Sequence, residues 1–231
     1  MKVALIIFTR NERKNSEKIF PRIPFDSVSK TYVVDFNSTD RTKEFWRRKK
    51  ITVFNQMYKG VGGAYESAFR NTQEDALIFF HPDGNMNPND IKKFVKRLRN
   101  KEKFIIATRM IKGAENEEDD QIFKPRKWFC QTLGIIANII WSKNSNKATD
   151  ITQGYRAITR RAFKKMNISH PDPIAPDYEQ VIRALKKNIK ISEFPTIEGK
   201  RIYGATSMTS LKTGWANCMV LIREILPINV S

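Results

Sequence analysis

ALIFFHPDGNMNP, residues 76–88, runs from five apolar residues into a polar loop with a single carboxylate, Asp83, among the amides of Asn85 and Asn87. An unbroken apolar run of that length reads as a strand buried on both faces, the mark of a parallel sheet covered by helices. Similar β-prone runs occupy 3–8, 32–34, 52–54 and 104–107, and segments of helical length lie at 15–20, 41–50, 63–72 and 88–100. Strand alternating with helix implies right-handed βαβ units and a mostly parallel sheet, an α/β fold. Ligands of such sheets sit outside the carboxyl ends of the strands. Four polar loops fall there: 9–12, 35–42, 59–63 and 81–87.

The rest of the chain is less regular. An acidic loop, GAENEEDD (113–120), precedes helical segments at 127–141, 162–166 and 177–187. Without an internal repeat or a low-complexity linker, the 231 residues read as one domain. Hydrophobic residues make up 40% of the chain, which favours a globular protein, and 42 Lys and Arg against 24 Asp and Glu give a formal charge of +18. That charge calls for an anionic partner: nucleic acid, anionic lipid or a phosphorylated substrate. Two cysteines in unrelated contexts and two histidines argue against a zinc site or a disulfide framework. The apolar run near the N-terminus is too short for a secretory signal, and 133–141 falls well short of the roughly 20 residues that span a bilayer. The expectation is a cytoplasmic protein, with peripheral contact at a membrane face left open.

Several residues carry candidate chemistry. Asp35, at a strand's end, suits hydrogen bonding to a nucleoside and equally suits an Asp and Ser pair capping the next helix; Asp40 reads as a helix cap. Lys59-Gly60-Val61-Gly62-Gly63 precedes a helix, where backbone amides can approach phosphate, but it lacks the GK[ST] ending of a P-loop. Asp83 is a candidate ligand for magnesium or manganese, with Asn85 and Asn87 offering neutral amide oxygens; a strand-to-helix turn capped by an Asn is the alternative. Arg156, in DITQGYR, suits a phosphate, and Glu179 is either a general base or a helix partner of Arg183, four residues on.

Together the motifs resemble family 2 glycosyltransferases, most of all the dolichyl- and polyprenyl-phosphate sugar transferases. TRNE at the end of the first strand resembles that family's P-T-Y-N-E, and VVDFNSTDRT its V-V-D-D-G-S-T-D-G-T. KGVGGAYESAF is similar to its Gly-rich segment, and HPDGNMNPNDI stands in the place of its D-A-D-L-x-x-P-P-E-x-I. ATRMIKG, DITQGYRAITRRAF and KRIYGATS resemble its later elements, so the likeness runs from about residue 3 to 210. It implies a Rossmann-like glycosyltransferase A fold, a nucleotide-diphosphate-sugar donor and an inverting displacement. By carry-over, Thr9, Asn11, Glu12, Asp35, Gly60 and Gly62 would line the nucleotide. Asp83 with Asn85 and Asn87 would meet a divalent cation, magnesium or manganese, and the diphosphate, while Arg201 with Thr206 or Ser207 would meet phosphates or a closing loop. Arg109, Arg126 and Arg156 would face the acceptor. Residues 1–110 would then be the nucleotide-sugar half and 111–231 the acceptor half. Departures stand at Arg10, Phe36, Asn85 and Ser207, and Asn85 removes one acid from the metal motif.

A lipid phosphate is already largely ionised at neutral pH and needs positioning more than a base, whereas a sugar hydroxyl must lose a proton. The basic charge favours the lipid phosphate. The rival transferase reading is a saccharide hydroxyl acceptor with Asp177 or Glu179 as base, Asp120 being a weaker candidate. A non-catalytic basic module is the rival from another class, although no RNP stretch or zinc-finger spacing points to nucleic acid. Near the C-terminus, Leu211, Trp215, Cys218, Met219 and Ile222 share one helical face. The expectation is that this face closes a core or a subunit contact, with a membrane interface as the alternative.

Overall fold

A computed structural model describes residues 1–116, 119, 123–204 and 209–226. One seven-stranded sheet runs through the chain in the order β3-β2-β1-β4-β6-β5-β7. Its strands are β1 (Val3–Thr9), β2 (Lys30–Asp35), β3 (Thr52–Asn55), β4 (Ala76–Phe80), β5 (Phe104–Thr108), β6 (Arg156–Thr159) and β7 (Ile191–Pro195). All neighbours pair in parallel except β6, which runs antiparallel to both β4 and β5. The helices are α1 (Arg13–Ile19), α2 (Thr42–Arg48), α3 (Gly60–Asn71), α4 (Asp90–Arg99), α5 (Pro125–Trp141), α6 (Arg160–Met166), α7 (Pro176–Lys186) and α8 (Ser210–Ile225).

The continuous apolar runs behave as their patterning requires. Every residue of β1, β4 and β5 is buried, because helices cover both faces. Along β4 the side chains alternate between two cores: Leu77 and Phe79 join α3, α5, α7 and α8, while Ile78 and Phe80 join α2 and α4. β6 and β7 were not expected from the sequence. The four residues of β6 begin with an arginine, and β7 carries Ser192 and Glu193, so neither presents an apolar run. The stretch 150–156, expected between two helices, therefore leads into a central strand. Because β6 runs backwards, this stretch reaches the same sheet edge as the exits of β1, β2 and β4.

Candidate active site

At that edge the first two loops are sewn together. Asp35 ends β2 fully buried; one of its oxygens accepts from Thr9 Oγ1 at 2.8 Å and the other from the Ser38 amide at 2.9 Å. Asn11, with φ of 55°, donates its amide to Ser38 Oγ and accepts from the Thr39 amide at 2.8 Å. The Glu12 amide donates to Thr42 Oγ1 at 3.0 Å, and Asp40 accepts from the amides of Arg13 and Thr42. Asp35 and Asp40 thus use their carboxylates to hold backbone turns, which fixes the shape of the floor where these loops meet.

The loop after β4 is covered by residues 199–203. Arg201 donates to Asp83 Oδ2 at 3.0 Å, pairs with Glu12 through its other terminal nitrogen, and gives its Nε to Tyr203 O at 2.9 Å. Tyr203 is fastened in turn to Asn15 of α1, its amide donating to Asn15 Oδ1 at 2.9 Å. The Gly199 amide bonds Asn85 O at 2.9 Å, and the Ile202 amide bonds Asp83 O at 2.8 Å. Gly84 is required here: its φ is +103°, and an added Cβ would stand 2.6 Å from Ile202 Cγ1. One guanidinium therefore bridges two acids from separate loops, Glu12 and Asp83.

Not every expected ligand reaches this place. Asn87 accepts the Asn89 amide on its Oδ1 at 3.1 Å and the Tyr155 hydroxyl on its carbonyl, so it shapes the entry to α4 as the turn reading proposed. Asn85 is different: its Oδ1 is buried and has no hydrogen-bond partner. The glycines of 60–63 pack closely against other segments of the chain. A Cβ on Gly60 would lie 2.1 Å from Pro173 O and one on Gly62 2.3 Å from Asp172 O, while the Val61 amide donates to Pro173 O at 2.8 Å. The partner of Gly60 and Gly62 is the chain's own 171–173 loop, whereas a Cβ on Gly63 would lie 2.2 Å from Tyr58 O.

On the far side of the edge the arginines are held internally. Arg109 makes a bidentate pair with Asp150 at 2.8 and 3.0 Å and reaches Glu198 at 2.8 Å. Burial works against its charge, but these two carboxylates outweigh that and raise its pKa. Arg156 is 0% exposed and donates to Gln153 O, to Asp177 O at 3.0 Å and to Gln180 Oε1 at 3.2 Å. It lies beneath Asp177, with no open face toward an acceptor. Glu179 accepts from the Asp172 amide at 2.7 Å and from Arg223 at 2.9 Å. Burial raises its pKa, but it faces α8 and the 171–175 segment, and Arg183 pairs with Glu224 instead. Arg126 lies exposed near the start of α5. Thr206, Ser207 and Asp120 fall outside the described residues.

Asp177 does reach the edge. Its Oδ1 accepts from Tyr65 OH at 2.7 Å, and Tyr65 is buried with its pKa raised well above the usual phenol value, first by desolvation and then by Asp177, so it remains a donor. Asp177 Oδ2 and His81 Nε2 both lie within 4 Å of where a Cβ on Gly154 would stand, at 3.7 and 3.8 Å. His81 follows β4 directly, a position the sequence displayed without marking it as functional. The missing side chain of Gly154 leaves space between a carboxylate and an imidazole, two residues before Asp83.

Residues 6–166 match the family model for glycosyl transferase family 2. The chain belongs to that family. Among curated relatives, the transferase is 31% identical over 125 residues to a dolichol-phosphate mannosyltransferase of Pyrococcus furiosus, a match covering 51% of this chain and 36% of that protein. It is 26% identical to a UDP-N-acetylglucosamine–dolichyl-phosphate N-acetylglucosaminyltransferase of Methanococcus voltae, covering 89% of this chain and 88% of the relative. Among solved structures, glucosyl-3-phosphoglycerate synthase of Mycobacterium tuberculosis, in complex with Mn2+, UDP and glucosyl-3-phosphoglycerate, superposes with a TM-score of 0.71. That match has 14% identity and covers 96% of this chain and 79% of the other, and it establishes the shared glycosyltransferase A-like fold.

Whether a divalent cation suits the transferase can be judged from its donors. Among the described residues no three His, Cys, Asp or Glu side chains gather to hold a metal on their own. Asp83 and the orphaned Asn85 Oδ1 nonetheless offer two hard oxygens in one turn, and a buried amide oxygen without a donor lacks a compensating interaction. Magnesium or manganese fits that pair, provided further oxygens come from the ligand.

Proposed function

We propose that this transferase moves a hexose, with inversion, from a nucleoside-diphosphate sugar to a polyprenyl phosphate of the dolichyl type. The observation that carries the donor half is the turn holding Asp83 and the unpartnered Asn85 Oδ1 beneath Arg201, a place suited to a diphosphate. Similarity over 89% of this chain to an enzyme named for dolichyl phosphate supports the acceptor. In this reading the floor built on Asp35, Thr9 and Asn11 receives the nucleoside, and residues 1–110 form the donor half.

A phosphate oxygen of the acceptor attacks the anomeric carbon, and the bond from that carbon to the leaving phosphate oxygen breaks, so the electron pair departs with the nucleoside diphosphate. A divalent cation at Asp83 and Asn85, when bound, neutralises charge on the leaving diphosphate. Arg201 supplies a second positive charge and exchanges Asp83 for a phosphate oxygen as the donor enters. Because the acceptor is already ionised, positioning replaces proton removal.

A second reading has its own observation. Asp177 Oδ2 and His81 border the space left by Gly154, which suits a saccharide hydroxyl with Asp177 as base. Release of nucleoside diphosphate should be measured across donor sugars with manganese, with and without polyprenyl phosphate. Stimulation by the lipid phosphate, loss of about 100-fold or more in Asp83→Ala, and retained activity in Asp177→Asn are expected. Full activity in Asp83→Ala would remove the metal and diphosphate assignment. Equal stimulation by a simple sugar, abolished in Asp177→Asn, would replace the lipid acceptor with a hydroxyl.

A further inference from the structure

Three side chains from separate parts of the chain meet where Gly154 has none. A Cβ there would stand 3.7 Å from Asp177 Oδ2, 3.8 Å from His81 Nε2 and 3.8 Å from Met86 Cε. Each is held from behind. Asp177 turns its other oxygen, Oδ1, to the buried Tyr65 hydroxyl at 2.7 Å and to Arg156 Nε at 3.3 Å, so Oδ2 is the oxygen left over. The imidazole of His81 meets the ring of Phe8 edge to face, centroids 5.6 Å apart, and the His81 amide donates to Met86 Sδ at 3.2 Å. That bond folds the 81–86 turn back on itself and fixes the buried thioether whose methyl end faces Gly154. Among the described residues, neither Asp177 Oδ2 nor His81 Nε2 has a hydrogen-bond partner within the chain. One small space is therefore bordered by an acceptor, by a nitrogen that donates when it carries the imidazole proton, and by an apolar methyl.

We propose that this space reads the 2-acetamido group of the donor sugar, so that the substrate is a nucleoside-diphosphate N-acetylhexosamine; this rests on the donor site proposed above and narrows its hexose. An acetamido group carries the three complements in one compass: an N–H for the carboxylate, a carbonyl oxygen for the imidazole N–H and a methyl for Met86 Cε. The amide loses its water on entering the space and needs both polar partners, which are already fixed there and otherwise unpaired. A plain hydroxyl is smaller and leaves the methyl end of Met86 without a neighbour. Position supports the same occupant. His81 stands two residues before Asp83, so the space adjoins the turn that suits the diphosphate. In an activated hexosamine the carbon bearing the acetamido group is bonded directly to the anomeric carbon that carries the diphosphate, so the two groups are read by adjoining parts of one turn. Used in this way, the space is filled by the donor and is closed to an acceptor hydroxyl.

Gly154→Ala isolates the contact. The backbone there has no positive φ, and the added Cβ makes ordinary van der Waals contacts, so the variant keeps the fold while its methyl takes the volume assigned to the acetamido group. Dissociation constants should be measured by titration calorimetry with manganese and no acceptor, for donors that differ only at carbon 2. UDP-N-acetylglucosamine is set against UDP-glucose, and the two GDP sugars against each other. In the pair whose base the protein accepts, the acetamido donor should bind at least about tenfold more tightly. Gly154→Ala should erase that margin by weakening the acetamido donor, with the plain hexose donor bound within about twofold of the wild-type value. Equal affinities in the wild type, or a preference for the plain hexose, would overturn the proposal and leave the donor site standing. A preference that survives Gly154→Ala would overturn it as well. Binding of none of the four donors would remove the donor reading itself, and this proposal with it.

Discussion

Asn85 concentrates the chemistry of the proposed donor site. The sequence displayed it as the acid missing from a metal motif, and that departure was legible from Asp83 two residues earlier. The bridge of Arg201 to both Glu12 and Asp83 was not legible, because it joins segments separated by 189 and 118 residues. The same limit hid Asn15 and Tyr203, whose mutual hydrogen bonds span 188 residues. If Asn85 Oδ1 meets the cation, Asn85→Asp adds a charged ligand of nearly the same shape. The manganese concentration for half-maximal activity should then fall about tenfold, roughly 1.4 kcal/mol in cation binding. An unchanged requirement would place the cation elsewhere.

At the scale of elements, the parallel βα units of the first half were legible because continuous apolar runs and helical segments alternate there. β6 and β7 escaped because short strands carrying Arg156, Ser192 and Glu193 lack that signature, and only the finished sheet selects them. The glycines that open α3 had a legible need for close approach and an illegible partner. Gly62→Ala sets a Cβ 2.3 Å from Asp172 O, so the 171–173 loop must retreat from α3. A loss of about 1–3 kcal/mol in chemical denaturation is expected, together with lower activity, since that loop leads into Asp177 and α7. Wild-type stability in Gly62→Ala would show that the loop yields without cost.

Arg109 and Asp150 work at the same scale, joining the end of β5 to the stretch before β6. Burial pushes the Asp150 carboxyl up, yet the Arg109 guanidinium and its hydrogen bonds outweigh this and leave the pKa lowered. A carboxyl depressed in the folded state contributes stability that is present above its unfolded pKa, about 3.9, and is lost as pH falls through the folded value. Asp150→Asn should cost about 3–5 kcal/mol at pH 7, because Arg109 stays buried without its main partner. The gap between wild type and variant should narrow below about pH 4 in urea titrations. A gap independent of pH would mean that packing, not charge, holds the pair.

For the whole molecule, the fold class and the motif order could be read from the sequence, since each rests on local pattern. The direction of α8 could not. Periodicity showed that Leu211, Trp215 and Ile222 share a face but not which way that face points; Ala216 and Val220 pack into the core beside the ion-paired Glu224, and the face expected to close a core is exposed instead.

The reversed β6 also governs how the chain assembles during synthesis. β1, β2, β3 and β4 pair among themselves within the first 80 residues, so that part of the sheet is available early. β5 has no such partner: its neighbours are β6 and β7, which begin at residues 156 and 191. FIIAT must therefore wait, apolar and unpaired, while the segment carrying α5 emerges, and β4 keeps an open edge for the same interval. A growing chain halted in that interval would carry strand edges able to pair with another copy, and the arrival of Arg156–Thr159 closes that of β4 and one of β5, leaving the other edge of β5 to β7.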